Sequence, residues 1–294
     1  MKDNEGKIET SLYDCAVKRL RKFLDGKRLP VSRLTSKFLK SFDKDLADYP
    51  CARVKYPMCI KRIFKDMRKE YNDEDLDIII IKDTLAKYEP EELPVPEKRA
   101  LDIDTIRKII QAPAVTGRKR RDLARECYLI SFFLMGMNAV DMFKLQGYSE
   151  DKICYKRSKT TKRRKDDAYI EVDVPREIVP LLRKCKGRKA AFKYSDMYSN
   201  HAVFNATLFY GLKALAKELG LPHFDFYSAR HSMATIGTNE VGISPYVIND
   251  MLNHEDEKLK VTNMYIKKSF KAINEANRKL IDYVLKKGKI KVNV

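Results

Sequence analysis

A proline- and glutamate-rich stretch divides the chain into two regions that have to build separate cores. From Tyr88 to Lys98 the sequence Tyr-Glu-Pro-Glu-Glu-Leu-Pro-Val-Pro-Glu-Lys carries three prolines and four glutamates. Proline lacks the amide donor that a helix or sheet needs, and a dense acidic run repels itself. An extended tether over 88–98 is therefore expected, with one domain over 1–90 and a second over 99–294.

The first region reads as three or four amphipathic helices. Leu12, Ala16, Leu20 and Phe23 recur at helical spacing beside Lys18, Arg19, Arg21 and Lys22, and Thr35 is placed to cap a helix carrying Phe38, Phe42 and Leu46. A third helix is expected to open at Pro57, turning Ile60, Ile63, Phe64 and Met67 inward and Lys61, Arg62, Lys65, Arg68 and Lys69 outward. That outer row is either a solvated face or a surface for phosphates, with Lys61, Arg62 and Lys65 as the candidate DNA contacts.

In the second region a short helix is expected through Asp104 to Ile110 and a longer, largely apolar one from about Arg121 to Leu134. Alternation in Ile153, Tyr155 and Arg157, and again from Tyr169 to Val174, predicts two strands of a hairpin. Phe204, Leu208, Leu212, Leu215 and Leu219 keep helical period between Ser199 and Gly220, where the helix stops. The fold class expected is mainly α with a small β-sheet: a helical N-terminal domain and a mixed, mostly helical second domain.

Charge narrows the partner. Sixty Lys and Arg against 41 Asp and Glu give a formal net charge of +19, which attracts a polyanion, so nucleic acid, DNA or RNA, is the first partner to consider. The six cysteines form no CxxC pair and no His stands at zinc-ligand spacing, so no metal and no cofactor is expected. With no apolar N-terminal segment and no run of eighteen apolar residues, a soluble bacterial cytoplasmic protein without a membrane partner is expected.

Two clusters carry potential chemistry. Between Lys152 and Lys165 eight of fourteen residues are basic and none is acidic, and Lys156, Arg157, Lys162, Arg163 and Arg164 are the candidate DNA contacts there. Between Phe224 and Tyr265 lie Tyr227, Arg230, His231, His254 and Tyr265, a phenol, a guanidinium and imidazoles within reach of one pocket if the helices fold back.

The residues at 226–235 (Phe-Tyr-Ser-Ala-Arg-His-Ser-Met-Ala-Thr), 251–254 (Met-Leu-Asn-His) and 262–266 (Thr-Asn-Met-Tyr-Ile) together resemble the C-terminal signature of the tyrosine recombinase and integrase family of phages and conjugative transposons. The resemblance places Arg230, His254 and the nucleophile Tyr265 on that family's motif positions. The segment 155–160 (Tyr-Lys-Arg-Ser-Lys-Thr) resembles its β-hairpin, with Lys159 as the residue acting on the leaving group. More weakly, 34–42 resembles the entry to the family's helical, SAM-like core-binding domain, and no arm-binding domain is expected. The resemblance implies a site-specific recombinase that forms a 3′-phosphotyrosyl intermediate without ATP or metal. It also implies DNA recombination sites as partners, a homotetramer on paired duplexes, accessory DNA-bending or excision factors, and a C-terminal helix exchanged between subunits. Ile273, Ala276, Leu280 and Val284 mark that helix, which packs either on a neighbour or on its own domain.

Two positions depart from the pattern. Tyr227 stands where the first histidine of His-x-x-Arg belongs, and a phenol can still donate to a phosphate oxygen. In Gly-Met-Asn-Ala-Val-Asp-Met (136–142), Asn138 takes the place of the family's first arginine. Arg125 and Arg157 are candidates to supply the absent cation from elsewhere. A catalytically weak accessory relative and a type IB topoisomerase are the alternatives.

Overall fold

The computed structural model describes residues 12–73, 75–92, 99–149, 151–255 and 269–293. The chain forms two compact units, residues 1–97 and 98–294.

In the first unit, α1 (Leu12–Phe23), α2 (Ser36–Asp45) and α3 (Pro50–Tyr71) pack around Ala16, Leu39, Phe42, Leu46, Ile60 and Phe64. Thr35 caps α2, its side-chain oxygen accepting from the Phe38 amide at 3.2 Å. The start of α3 differs from expectation: Pro50 occupies the first turn, where a missing N–H costs nothing, and Pro57 lies buried inside the helix. Tyr88, expected as the first tether residue, is instead fully buried in this core. Burial, with Asp43 and Glu91 nearby, pushes its phenol up to about 12.

The second unit is built on α5 (Lys119–Phe133), whose residues from Leu123 to Phe133 are all buried. It follows α4 (Ile103–Gln111) and crosses α9 (His201–Glu218) closely. A Cβ on Gly211 would come within 2.4 Å of the Ala124 Cβ and 2.5 Å of the Arg120 carbonyl, so only glycine permits that approach. Strands β1 (Lys152–Lys156) and β2 (Tyr169–Asp173) pair antiparallel with Ile153 opposite Val172 and Tyr155 opposite Ile170, which places the apolar side chains of each strand on the core face. Of the short helices, α6 (Ala139–Lys144) packs against α9 and α8 (Tyr194–Met197), and α7 (Val179–Lys184) packs against α5. They are followed by α10 (Ser228–Asn239), α11 (Pro245–Met251) and α12 (Lys271–Val284).

Helix α12 rests on its own domain, burying Ile273, Ala276, Leu280, Ile281 and Val284, and Asn277 donates to the Phe133 carbonyl at 2.9 Å. The segment after it returns to α4, where the Asn293 amide donates to the Ile110 carbonyl. Among the described residues no helix is long and apolar enough to cross a membrane.

Candidate active site

The second unit brings the heads of α6 and α10, the hairpin tip and the turn after α11 to one place. Arg230, in the first turn of α10, is only 5% exposed. Its Nη1 donates to the Gly136 carbonyl at 3.0 Å, and its Nη2 donates to the Leu252 carbonyl and to His254 Nε2, the latter at 3.2 Å. Gly136 has to be glycine: its φ is +72°, and a Cβ there would lie 2.6 Å from the Arg230 Cγ.

The turn that carries His254 is fixed from several sides. Asn253 takes φ +49°, a left-handed conformation that asparagine tolerates better than most residues. Its side-chain amide donates to the Ala168 carbonyl at 2.7 Å, tying the turn to the hairpin. Arg164 donates to the Asn253 carbonyl at 2.9 Å, and Arg157 reaches the Leu252 and Asn253 carbonyls at 3.5 and 3.4 Å.

These contacts set the state of the imidazole. Arginine has no acceptor, so His254 Nε2 must accept from Arg230, and the ring proton sits on Nδ1. Loss of hydration, then the charges of Arg230, Arg157, Lys159 and Arg164, push His254 down to about 4, so the free protein holds it neutral at pH 7. Burial also lowers the Arg230 guanidinium from its ordinary value, and the nearby Arg157 charge adds to that.

A cavity of ≈ 400 Å³ opens beside this cluster, lined by Asn138, Arg157, Lys159 and Tyr227 and, across from them, by His201, Asn205 and Phe209 of α9. Asn138 is the residue before α6, and its side chain makes no capping bond. Lys159 is exposed at the hairpin tip, and the Tyr227 ring packs edge-on to His231 at 4.9 Å. Of the expected catalytic set, Lys159, Tyr227, Arg230 and His254 therefore converge. Tyr265 lies outside the described residues.

The expected DNA contacts separate into free and engaged groups. Lys65 and Lys162 are exposed, and Arg62 is exposed beside Asp66. Lys61 instead donates to the Tyr88 carbonyl at 2.7 Å, and Lys156 pairs with Asp167 at 2.6 Å. Arg164 pairs with Asp166 and braces the 253 carbonyl; Arg157 is 6% exposed. Arg163 falls in the hairpin connection, and its side chain lies outside what the structure describes. Of the two candidates for the absent cation, Arg125 is removed. Its guanidinium is spent on the carbonyls of Ile109, Ile110 and Asn293 at 2.8, 2.6 and 2.9 Å.

Two contributions escaped the sequence reading. Asp141, 3% exposed, accepts from the Ser158 amide at 2.8 Å and so holds the hairpin beside α6. His201, Asn205 and Phe209 form an i, i+4, i+8 row on α9, a spacing visible in the sequence but masked there by the stronger apolar row on the opposite face.

The fold is that of the tyrosine recombinases. The chain superposes on XerH site-specific recombinase bound to difH substrate with a TM-score of 0.60 at 14% identity, covering 87% of this chain and 79% of that one. A lambda integrase dimer bound to a COC' core site gives 0.61 at 14% identity, covering 89% and 73%. The Tn1549 transposon integrase in complex with transposon right end DNA gives 0.57 at 13% identity, covering 94% and 95%. No protein-family model and no curated protein matches the chain.

Proposed function

We propose that the protein is a site-specific DNA recombinase of the integrase kind, cutting and rejoining DNA through a 3′-phosphotyrosyl intermediate during integration or excision of a mobile element. The observation that carries this reading is the pairing of the Arg230 and His254 side chains at 3.2 Å, within the electrostatic reach of Arg157 and Lys159, which line the adjoining cavity with Tyr227. The chain's +19 charge and its likeness in fold to proteins solved on DNA support it.

Each group has a task in the transesterification. Attack by the Tyr265 oxygen on phosphorus gathers negative charge on the non-bridging oxygens, which a guanidinium stabilises with two donors whose charge does not titrate at neutral pH. Arg230 does this from a buried site where water competes little. His254, neutral and with its proton on Nδ1, offers a hydrogen bond without adding a charge to a region already crowded with cations. As the tyrosyl–phosphorus bond forms and the phosphorus–O5′ bond breaks, the Tyr265 phenol gives its proton to water and the Lys159 ammonium gives one to the departing 5′-oxygen, so the proton count balances when the lysine is reprotonated from solvent. Tyr227 adds a phenolic donor at the cavity wall. The working species is a multimer on paired duplexes: one lambda integrase structure is a tetramer bound to a Holliday junction.

The test is a nicked suicide duplex, chosen from a random-sequence library by binding to the Tyr265→Phe variant. A covalent protein–DNA adduct with the wild type and none with Tyr265→Phe is expected. An adduct with neither points to an accessory DNA-binding role. An adduct with both removes Tyr265 as nucleophile, and relaxation of a plasmid lacking the site points to a topoisomerase.

A further inference from the structure

Arg157 has the surroundings of a ligand-binding group. It follows directly on β1, and its backbone amide donates to the Ala168 carbonyl at 3.1 Å, so the hairpin fixes where its side chain starts. The residue is 6% exposed, and its Nε is buried with no hydrogen-bond partner. Nη1 meets two carbonyls at 3.4 and 3.5 Å, longer than the 2.7–3.2 Å of a well-formed N–H···O bond. Among the described residues no carboxylate lies within ion-pair distance of either Arg157 or Arg230.

Taking two guanidiniums out of water side by side is unfavourable unless an anion compensates them. The mutual penalty is visible in Arg230, whose guanidinium is lowered by the Arg157 charge, and in His254, which both depress. Arg164, by contrast, sits beside Asp166 at 2.6 Å. Buried Asp141 offsets part of the Arg230 charge without reaching ion-pair distance, and Asp225, which lines the cavity, is paired with Arg99 at 2.9 Å. The remaining compensation is to be sought in an anion bound in the cavity that Arg157 lines together with Lys159, Tyr227 and the neutral Asn138.

We propose that Arg157 is a catalytic residue: it and Arg230 together hold the non-bridging oxygens of the scissile phosphate, with Arg157 supplying from the hairpin the cation that the head of α6 lacks at Asn138. Its Nη groups, which the backbone carbonyls hold only at 3.4 and 3.5 Å, are the donors that suit phosphate oxygens. Asp141 is a positioning residue for it. By accepting from the Ser158 amide, Asp141 fixes the backbone next to Arg157 against α6 and holds Asn138 and the guanidinium on the same cavity.

This assignment rests on the transesterase reading above, and the test separates the two. Adduct formation is timed for the full chain on the selected nicked duplex, once with an ordinary scissile phosphate and once with a methylphosphonate there, which removes one negative oxygen. Arg157→Ala is expected to keep duplex binding within about threefold while forming adduct about 10² to 10³ times more slowly. Arg157→Lys recovers only part of that loss. Adding Asn138→Arg to Arg157→Ala restores at least tenfold, because the cation returns from the other side of the cavity. On the methylphosphonate the gap between wild type and Arg157→Ala shrinks to below tenfold. A purely structural Arg157 gives a different pattern: equal slowing on both substrates and no rescue by Asn138→Arg, which overturns the assignment. So does an Arg157→Ala adduct rate within threefold of wild type. A wild type that forms no adduct overturns the transesterase reading itself, and the assignment falls with it.

Discussion

Replacing Gly136 by alanine tests how tightly the site is built around Arg230. The residue has φ +72°, and an alanine Cβ there would stand 2.6 Å from the Arg230 Cγ, 2.7 Å from its Cβ and 2.9 Å from its Cα. Left-handed backbone costs an L-residue about 1 kcal/mol relative to glycine. Overpacking against a side chain that is itself pinned adds about 1–3 kcal/mol. Arg230 cannot swing away cheaply, because its Nη1 bonds the carbonyl of Gly136 itself and its Nη2 bonds the 252 carbonyl. The sum, about 2–4 kcal/mol, lowers the thermal midpoint of the second unit by about 5–15 °C. Gly147→Ala is the control, since nothing lies within 4 Å of a Cβ at that position. Differential scanning calorimetry reads the stability and the nicked duplex reads the adduct rate, expected to fall at least tenfold for Gly136→Ala only. A Gly136→Ala protein that melts with the control and forms adduct at the wild-type rate refutes the close approach.

Three further outcomes are expected. His254 titrates near ~6.5 when unfolded but at about 4 when folded, so between those values the unfolded chain takes up the proton first. Stability present at pH 7 is therefore lost as pH falls below about 6.5. With part of the ring in solvent the loss is about 1–2 kcal/mol, read as the difference between wild type and His254→Gln in urea melts at pH 7 and pH 4.5. Asn253→Gly keeps the left-handed turn and loses only the bond to the Ala168 carbonyl, whereas Asn253→Ala loses both. The alanine variant should be the less stable by about 1 kcal/mol in the same melts. Arg125→Met takes the guanidinium from three carbonyls, of which Ile110's keeps the Asn293 amide, and should cost about 2–3 kcal/mol of stability. Its adduct rate, measured well below the melting point, should stay within threefold.

Local pattern carried the architecture because the physics there is local. Thr35 could be assigned as a cap from its own neighbours, and β1 and β2 could be paired because Ile153, Tyr155, Ile170 and Val172 alternate with polar residues. The α9 row from Phe204 to Leu215 was equally plain. What stayed hidden depends on partners far away in the chain. Arg125 and Arg157 are indistinguishable as letters, yet one ends among three carbonyls and the other beside a cavity. Asp141 acts on an amide 17 residues on, and Gly136 is constrained by a side chain 94 residues away. Pro57 misled for a related reason: proline suits a first turn, and nothing in its neighbours showed that Pro50 had already opened the helix.

The three-residue turn from Leu252 to His254 receives hydrogen bonds from side chains rooted in two separate parts of the fold: Arg157 and Arg164 in the hairpin and Arg230 in α10. A turn shared in this way acts as a thermodynamic junction. Substitutions at Arg164, Asn253 and Arg230 should not add: each double-mutant cycle carries a coupling of about 0.5–3 kcal/mol. An exchange in the hairpin that alters its hold on the turn is therefore expected to need an answering change in α10 or in the turn itself to restore the lost stability.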